Sequence, residues 1–249
     1  MSMAFEGAVT PERAARGELI LLPPGVAAER LLTGRPPTTW TLPEQVAARI
    51  GERILNEELS PGQRIGEDDI AQSFGISRGP IRDALRVLDA AGLVAITRRR
   101  GTVVTPLTER DLREILELRE VLMGLVFRRF AQVASAADVA TVRPHLRAAE
   151  TLIEEDTQMF YWLEALDRLV LAIAHRAGNA RLARQLTLLS LQAVRYLRRG
   201  MRSIENRREL LAFHRNYLQA VERGEDVERF LGQLHALVQK RIGIVSSGL

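Results

Sequence analysis

Cysteine is absent from the chain, which excludes disulfides and thiolate metal centres and is compatible with a reducing compartment. Histidine is scarce as well: His145, His175, His214 and His235 are the whole supply. Four dispersed imidazoles form no nucleophile–base pair, and neither a phosphate-binding loop nor a metal pair is present, so catalysis is not expected. Long apolar runs are missing too. Nothing approaches the roughly 20 residues that span a bilayer. The N-terminus lacks a basic segment leading into an apolar core: Leu19–Leu22 is too short, and Glu18 interrupts its approach. The expected compartment is the cytoplasm, with no membrane partner. Lysine is nearly absent, Lys240 being the only one, so the net charge of +4 rests on arginine. What remains is an ordinary globular composition, 46% hydrophobic and 27% charged over 249 residues, long enough for two domains with separate cores.

Residues 1–40 carry Pro11, Pro23, Pro24, Pro36 and Pro37 without a sustained period. They are expected to form a largely irregular extension with a short helix near Val26–Leu32. At Thr41 the pattern changes. Thr41-Leu42-Pro43-Glu44 has the form of a capping box with proline in the first turn. Leu42, Val46, Ile50 and Ile54 then make one apolar helical stripe, which Ser60-Pro61-Gly62 is expected to end. Further helices are predicted at Glu67–Phe74 and Arg78–Ala91, joined through Gly75-Ile76-Ser77. Leu93–Thr97 and Thr102–Thr105 read as a hairpin around Arg98–Gly101. Beyond Pro106 the spacing predicts helices near 109–133, 136–154, 158–176, 180–202, 205–222 and 226–244, with stops at Gly178-Asn179 and Gly224. The expected organisation is an extension over 1–40, a first domain over 41–106 and an all-helical second domain over 107–249.

Three helices in a short span, the last two joined by a glycine-containing turn and followed by a hairpin, are the pattern of a winged helix-turn-helix. The third helix carries the argument. Ile81, Ala84, Leu85 and Leu88 form its inward stripe, while Arg78 and Arg82 share a neighbouring face close to its start, where such a helix meets base edges. Ser77 sits at the N-cap, and Gly79 lets the backbone come close to a duplex. The first turn's free N–H groups favour phosphate. Residues 41–106 hold nine basic and nine acidic side chains, yet Arg78–Arg100 has six arginines against two aspartates. Positive charge is therefore gathered on the third helix and the wing, where Arg98, Arg99, Arg100 and Gly101 are candidate DNA contacts. Arg86 has competing partners in Asp83 and Asp89, three residues to either side.

These residues resemble the GntR family of bacterial regulators. The resemblance runs from Leu42 through Val46 and Ile50, Pro61-Gly62, Ile70-Ala71, Phe74-Gly75-Ile76-Ser77-Arg78 and Pro80-Ile81-Arg82-Asp83-Ala84-Leu85. It continues through Leu88 and Gly92-Leu93 to Arg100-Gly101-Thr102-Val103-Val104. It implies that Arg78, Gly79, Arg82 and the tip at Arg98–Gly101 contact DNA. The second domain is similar to the FadR-type branch (the FCD domain) at Asp111, Ile115, Leu118-Arg119, Ala177-Gly178-Asn179, His214, Ala220 and Gly224. That likeness implies a mainly α protein: three helices and a β-hairpin wing, followed by a bundle of six or seven helices that dimerises and binds an effector. The implied function is a homodimeric transcription regulator, repressor or activator, on a palindromic double-stranded operator whose affinity a small molecule modulates. The alternative is an effector-independent DNA-binding dimer.

Many members of that branch hold a divalent ion with an Asp or Asn and three histidines. Here the pattern is broken. The expected Phe-His falls on Leu169-Val170, the third histidine position on Ala236 with His235 one residue early, and Met123 replaces a common acid. One residue turns a side chain about 100° around a helix, so no metal or other cofactor is expected. By the same resemblance Arg119 faces the bundle's cavity, where a buried guanidinium asks for an anion. His214 and Tyr217 are candidates for further polar contacts, and the effector is expected to be an acidic metabolite.

Overall fold

The computed structural model describes residues 40–98, 101–153, 159–201 and 203–246. The chain divides after Pro106 into two compact units. The extension expected over residues 1–40 lies outside the described residues except for Trp40. That side chain is buried and its carbonyl accepts from Gln45 Nε2, so it belongs to the first unit.

The first unit opens with α1 (Leu42–Leu55), started by the expected capping box. The Glu44 carboxylate accepts from both the backbone N–H and the hydroxyl of Thr41, at 2.8 and 2.9 Å. The helix stops earlier than Ser60-Pro61-Gly62. Glu57 takes a left-handed φ of 62° and reverses the chain just past the C-cap Asn56. Helices α2 (Glu67–Phe74) and α3 (Arg78–Ala90) follow, separated by Gly75 in the left-handed conformation that ends α2. The stripe of Ile81, Ala84, Leu85 and Leu88 is buried, and it packs α3 onto α1 and α2.

Strands β2 (Val94–Thr97) and β3 (Gly101–Val104) form the expected wing. The sheet also has a third strand, which the sequence pattern does not predict. β1 (Arg64–Ile65) pairs antiparallel with β3 in the sheet order β1-β3-β2, with Arg64 opposite Val103. Gly62 N donates to Val104 O at 2.9 Å, and Val104 N donates to Gln63 O at 2.8 Å. The Pro61-Gly62 turn thus feeds the sheet rather than ending a helix.

The second unit contains α4 (Glu109–Val133), α5 (Ala136–Leu152), α6 (Met159–Arg176), α7 (Ala180–Gly200), α8 (Ile204–Arg223) and α9 (Glu228–Ser246). These match the six expected helices to within the few residues by which helix ends vary. Caps set the boundaries. Thr108 and Asn179 side chains accept from Asp111 N and Leu182 N, and Gly178 and Gly224 take left-handed φ at the stops. Helix α4 packs against α6, α7 and α9, which makes it the central stave of the bundle. Among the described residues no helix is long and apolar enough to cross a membrane.

Candidate nucleic-acid interface and effector cavity

Arg78 and Arg82 leave α3 on its exposed side, one turn apart. Their side chains are 62% and 58% exposed, so neither supports the unit's core. Ser77 holds the N-cap position and is exposed, although its side chain makes no capping hydrogen bond. A β-carbon built on Gly79 would meet nothing within 4 Å, which leaves the start of α3 clear for close approach. Along the chain, the acids of α2 appear segregated from these arginines. The fold undoes that segregation. Arg78 Nε lies 2.6 Å from Asp68 Oδ1, and Arg82 Nε donates to Glu67 Oε2 at 2.8 Å. The bond from Glu67, followed by its charge, raises the basicity of Arg82. These pairs are solvated, so they contribute little to stability and exchange readily for another anion.

Asp83 and Asp89 divide their work. Asp83 pairs with Arg86 at 3.0 Å, whereas Asp89 Oδ1 accepts the Ile96 backbone N–H at 3.0 Å and joins α3 to β2. On the wing, Arg98 is exposed and Gly101 has a φ of 69°, the left-handed geometry the turn requires. Arg99 and Arg100 lie outside the described residues. The third strand adds a cation that sequence patterning did not single out. Exposed Arg64 lies against the wing, its Nη2 3.6 Å from where a β-carbon on Gly101 would stand. Only the strand pairing reveals this, because Arg64 precedes Gly101 by more than thirty residues.

Inside the second unit is a cavity of about 50 Å³, room for about four water molecules. Its wall is mostly apolar, with Arg119, Asp167, Ser190, His214 and Arg241 as the polar members. Arg119 is in the wall as expected. Its charge is answered from within the protein: Nη2 donates to Asp167 Oδ1 and Nε to Ser190 Oγ, both at 3.2 Å. His214 also lines the cavity and is fully enclosed. Its Nδ1 lies 2.8 Å from Leu210 O, an atom that only accepts, so Nδ1 carries the proton. Burial, opposed by that hydrogen bond and reinforced by the charges of Arg241 and Arg119, lowers its pKa to about 4. The ring is therefore neutral near pH 7, and its Nε2 is a buried acceptor with no hydrogen-bond donor among the described residues.

Tyr217 stands apart from the cavity wall. Its hydroxyl donates to Phe127 O at 2.8 Å within a cluster of Phe127, Phe213 and Phe230. Burial pushes its pKa up. That hydroxyl is committed to the backbone of α4, so its placement gives no support to an effector contact. His235 turns to the surface, where Nδ1 lies 2.9 Å from Glu120 Oε1. Leu169 and Val170 are buried and offer no donor atom. The residues present do not fit a divalent ion: one histidine remains in the cavity, and Arg241 beside it would repel a cation. Among the described residues no cluster of three or more acids and histidines is placed to hold a metal.

Residues 42–104 match the bacterial regulatory proteins of the gntR family, and residues 114–238 match the FCD domain. The chain belongs to the GntR family. Among its relatives, the HTH-type transcriptional regulator YdhC of Bacillus subtilis is 32% identical over 142 residues, which cover 56% of this chain and 62% of that protein. The gluconate operon transcriptional repressor of Bacillus subtilis is 30% identical over 134 residues, 53% of this chain and 55% of its own length. The matched stretch thus spans less than two thirds of either relative. Among solved structures, Escherichia coli McbR/YncC superposes with a TM-score of 0.67 at 21% identity, covering 84% of this chain and 99% of that one. A GntR regulator from Rhodococcus gives 0.68 at 19% identity, covering 83% and 98%. Likeness at that identity establishes the shared fold of a winged helix-turn-helix with an all-α domain.

Proposed function

We propose that this GntR-family chain is a homodimeric transcription regulator that reads duplex DNA through α3 and the wing and answers to a small anionic effector. The observation that carries the reading is the paired, outward placement of Arg78 and Arg82 beside the open backbone of Gly79. Arginines at the start of a recognition helix reach guanine edges or phosphates. Ser77, Arg98, Arg99, Arg100 and Gly101 complete the proposed DNA surface, and Arg64 joins them from β1. Dimerisation is supported by Leu118, Val121 and Leu125, which are 52%, 68% and 43% exposed and recur at helical spacing on α4. Two copies would read a palindromic site. Repression in the cytoplasm, without catalysis, is the mode proposed from likeness to relatives such as the gluconate operon repressor.

The cavity, with Arg119 and His214 in its wall, favours an effector-responsive protein over one whose bundle serves dimerisation alone. An effector would shift operator affinity by its own preference between two arrangements of the dimer. The test begins with selection from random duplexes, which should enrich an inverted repeat. Anisotropy titration should then show Arg82→Ala weakening specific binding about 10- to 100-fold with an unchanged melting temperature and dimer mass. Unchanged operator affinity in that variant would remove the recognition-helix assignment.

A further inference from the structure

The cavity's polar groups do not balance. Arg119 has Asp167 and Ser190. Arg241, only 8% exposed, lines the same cavity and makes no ion pair or hydrogen bond among the described residues. The carboxylate whose charge acts on it is Glu209, and its Oε2 is held by Lys240 Nζ at 2.6 Å. Desolvation, followed by the charge of Arg119, lowers the Arg241 pKa to about 10, so it is still a cation near neutrality. With one cation matched to Asp167 and the other unmatched, the pocket carries one net positive charge. A buried, unpaired charge is costly, and a single anion relieves it.

The second imbalance is of opposite kind. His214 Nε2 is a buried lone pair with no donor among the described residues. Its Nδ1–H is fixed on Leu210 O, so the ring cannot swap tautomers without losing that bond. The ring feels the charges of both Arg119 and Arg241, which puts the anion's cation and the lone pair in one locality. An ammonium donor there would sit beside two guanidiniums, which disfavours amino acids. A hydroxyl carries no such penalty. The other wall atoms come from side chains such as Leu116, Met123, Leu163, Val170 and Val238, which suit a short hydrocarbon group and no second charge.

Resting on the effector-responsive reading above, we infer that the cavity takes a small hydroxy monocarboxylate with a short hydrocarbon tail, its carboxylate on Arg241 and its hydroxyl donating to His214 Nε2. Arg241 thereby does the anion-holding work without a metal ion.

The test uses the full-length protein and three probes: α-hydroxyisovalerate, β-hydroxyisovalerate and isovalerate, which lacks the hydroxyl. Calorimetry without added metal, and again with a chelator, should show at least one hydroxy acid binding tenfold or more tighter than isovalerate in both conditions. Arg241→Met should weaken that acid at least 30-fold, and Arg241→Lys should recover part of the loss. Both variants must melt as cooperatively as the parent. His214→Asn keeps a donor for Leu210 O while removing the Nε2 acceptor. It should bring the hydroxy acid down to the affinity of isovalerate and leave isovalerate unchanged. Absence of binding by all three probes, equal affinity for them, binding lost to the chelator, or Arg241→Met binding within threefold of the parent would each overturn the inference. Operator titrations separate it from the reading beneath it. Binding as described with unchanged operator affinity removes the effector role and leaves the pocket chemistry standing. Operator affinity that responds to another compound while these acids fail to bind does the reverse.

Discussion

The two units use arginine in opposite ways. On the first, Arg78 and Arg82 stand in water against Asp68 and Glu67, pairs that solvent screens and that another anion can replace. In the second, Arg119 and Asp167 are held at 13% and 10% side-chain exposure, and Arg241 is buried beside them. Exposure, rather than residue type, separates the roles. A solvated guanidinium is an exchangeable contact suited to a polyanion that arrives and leaves. A desolvated one is a fixed demand that a particular small anion meets. Removing a partner should therefore matter greatly in the second unit and little to the stability of the first.

The largest expected effect tests that contrast directly. Asp167→Leu should destabilise the second unit by about 3 kcal/mol, measured by urea unfolding, because it removes the carboxylate paired with a largely buried Arg119. The double variant with Arg119→Met should recover part of the loss; equal instability in the single and double variants would show that the pair is not coupled. A similar magnitude should appear as a pH dependence. The His214 pKa falls from the ordinary 6.5 to about 4 on folding, so between those values the unfolded chain binds the extra proton. Stability should be fully present above pH 6.5 and decline by about 3 kcal/mol as pH falls toward 4. His214→Asn should flatten that interval, leaving the steeper loss at lower pH where Asp138, Glu205 and Glu228, whose pKa values lie below the usual carboxylate range, take up protons. The smallest effect belongs to the first unit. Arg64→Ala should leave melting unchanged and reduce the salt dependence of DNA binding by about 0.9 in the log–log slope per subunit, one phosphate contact. An unaltered slope would take Arg64 off the DNA surface.

Much of this arrangement was legible in the sequence. Helix periodicity placed Ile81, Ala84, Leu85 and Leu88 inward and Arg78 and Arg82 outward, and caps such as Thr108 and Asn179 set the boundaries. Strand β1 was not, because two residues have no period to detect and their pairing with β3 is a tertiary event. The carboxylate partners of Arg78 and Arg82 were equally hidden, since α2 and α3 meet only after the turn at Gly75 closes. Arg241 did leave a signal. Leu234, Val238 and Arg241 follow helical spacing along one buried stripe, as do Leu112, Leu116, Arg119 and Met123. A cation in phase with an apolar stripe marks a polar site within a core. Periodicity does not say which anion answers it, and for Arg119 that was Asp167 on another helix.

The bond from the Ile96 amide to Asp89 has a mechanical consequence. It ties the outer half of β2, one pair short of the tip, to the C-terminal end of α3, and so couples the wing to that helix. In the proposed DNA-reading role, α3 and the wing would meet an operator as a two-pronged gauge of set pitch. DNA whose groove geometry departs from that pitch would have to deform to be read, and duplex stiffness at untouched base pairs would then enter the discrimination.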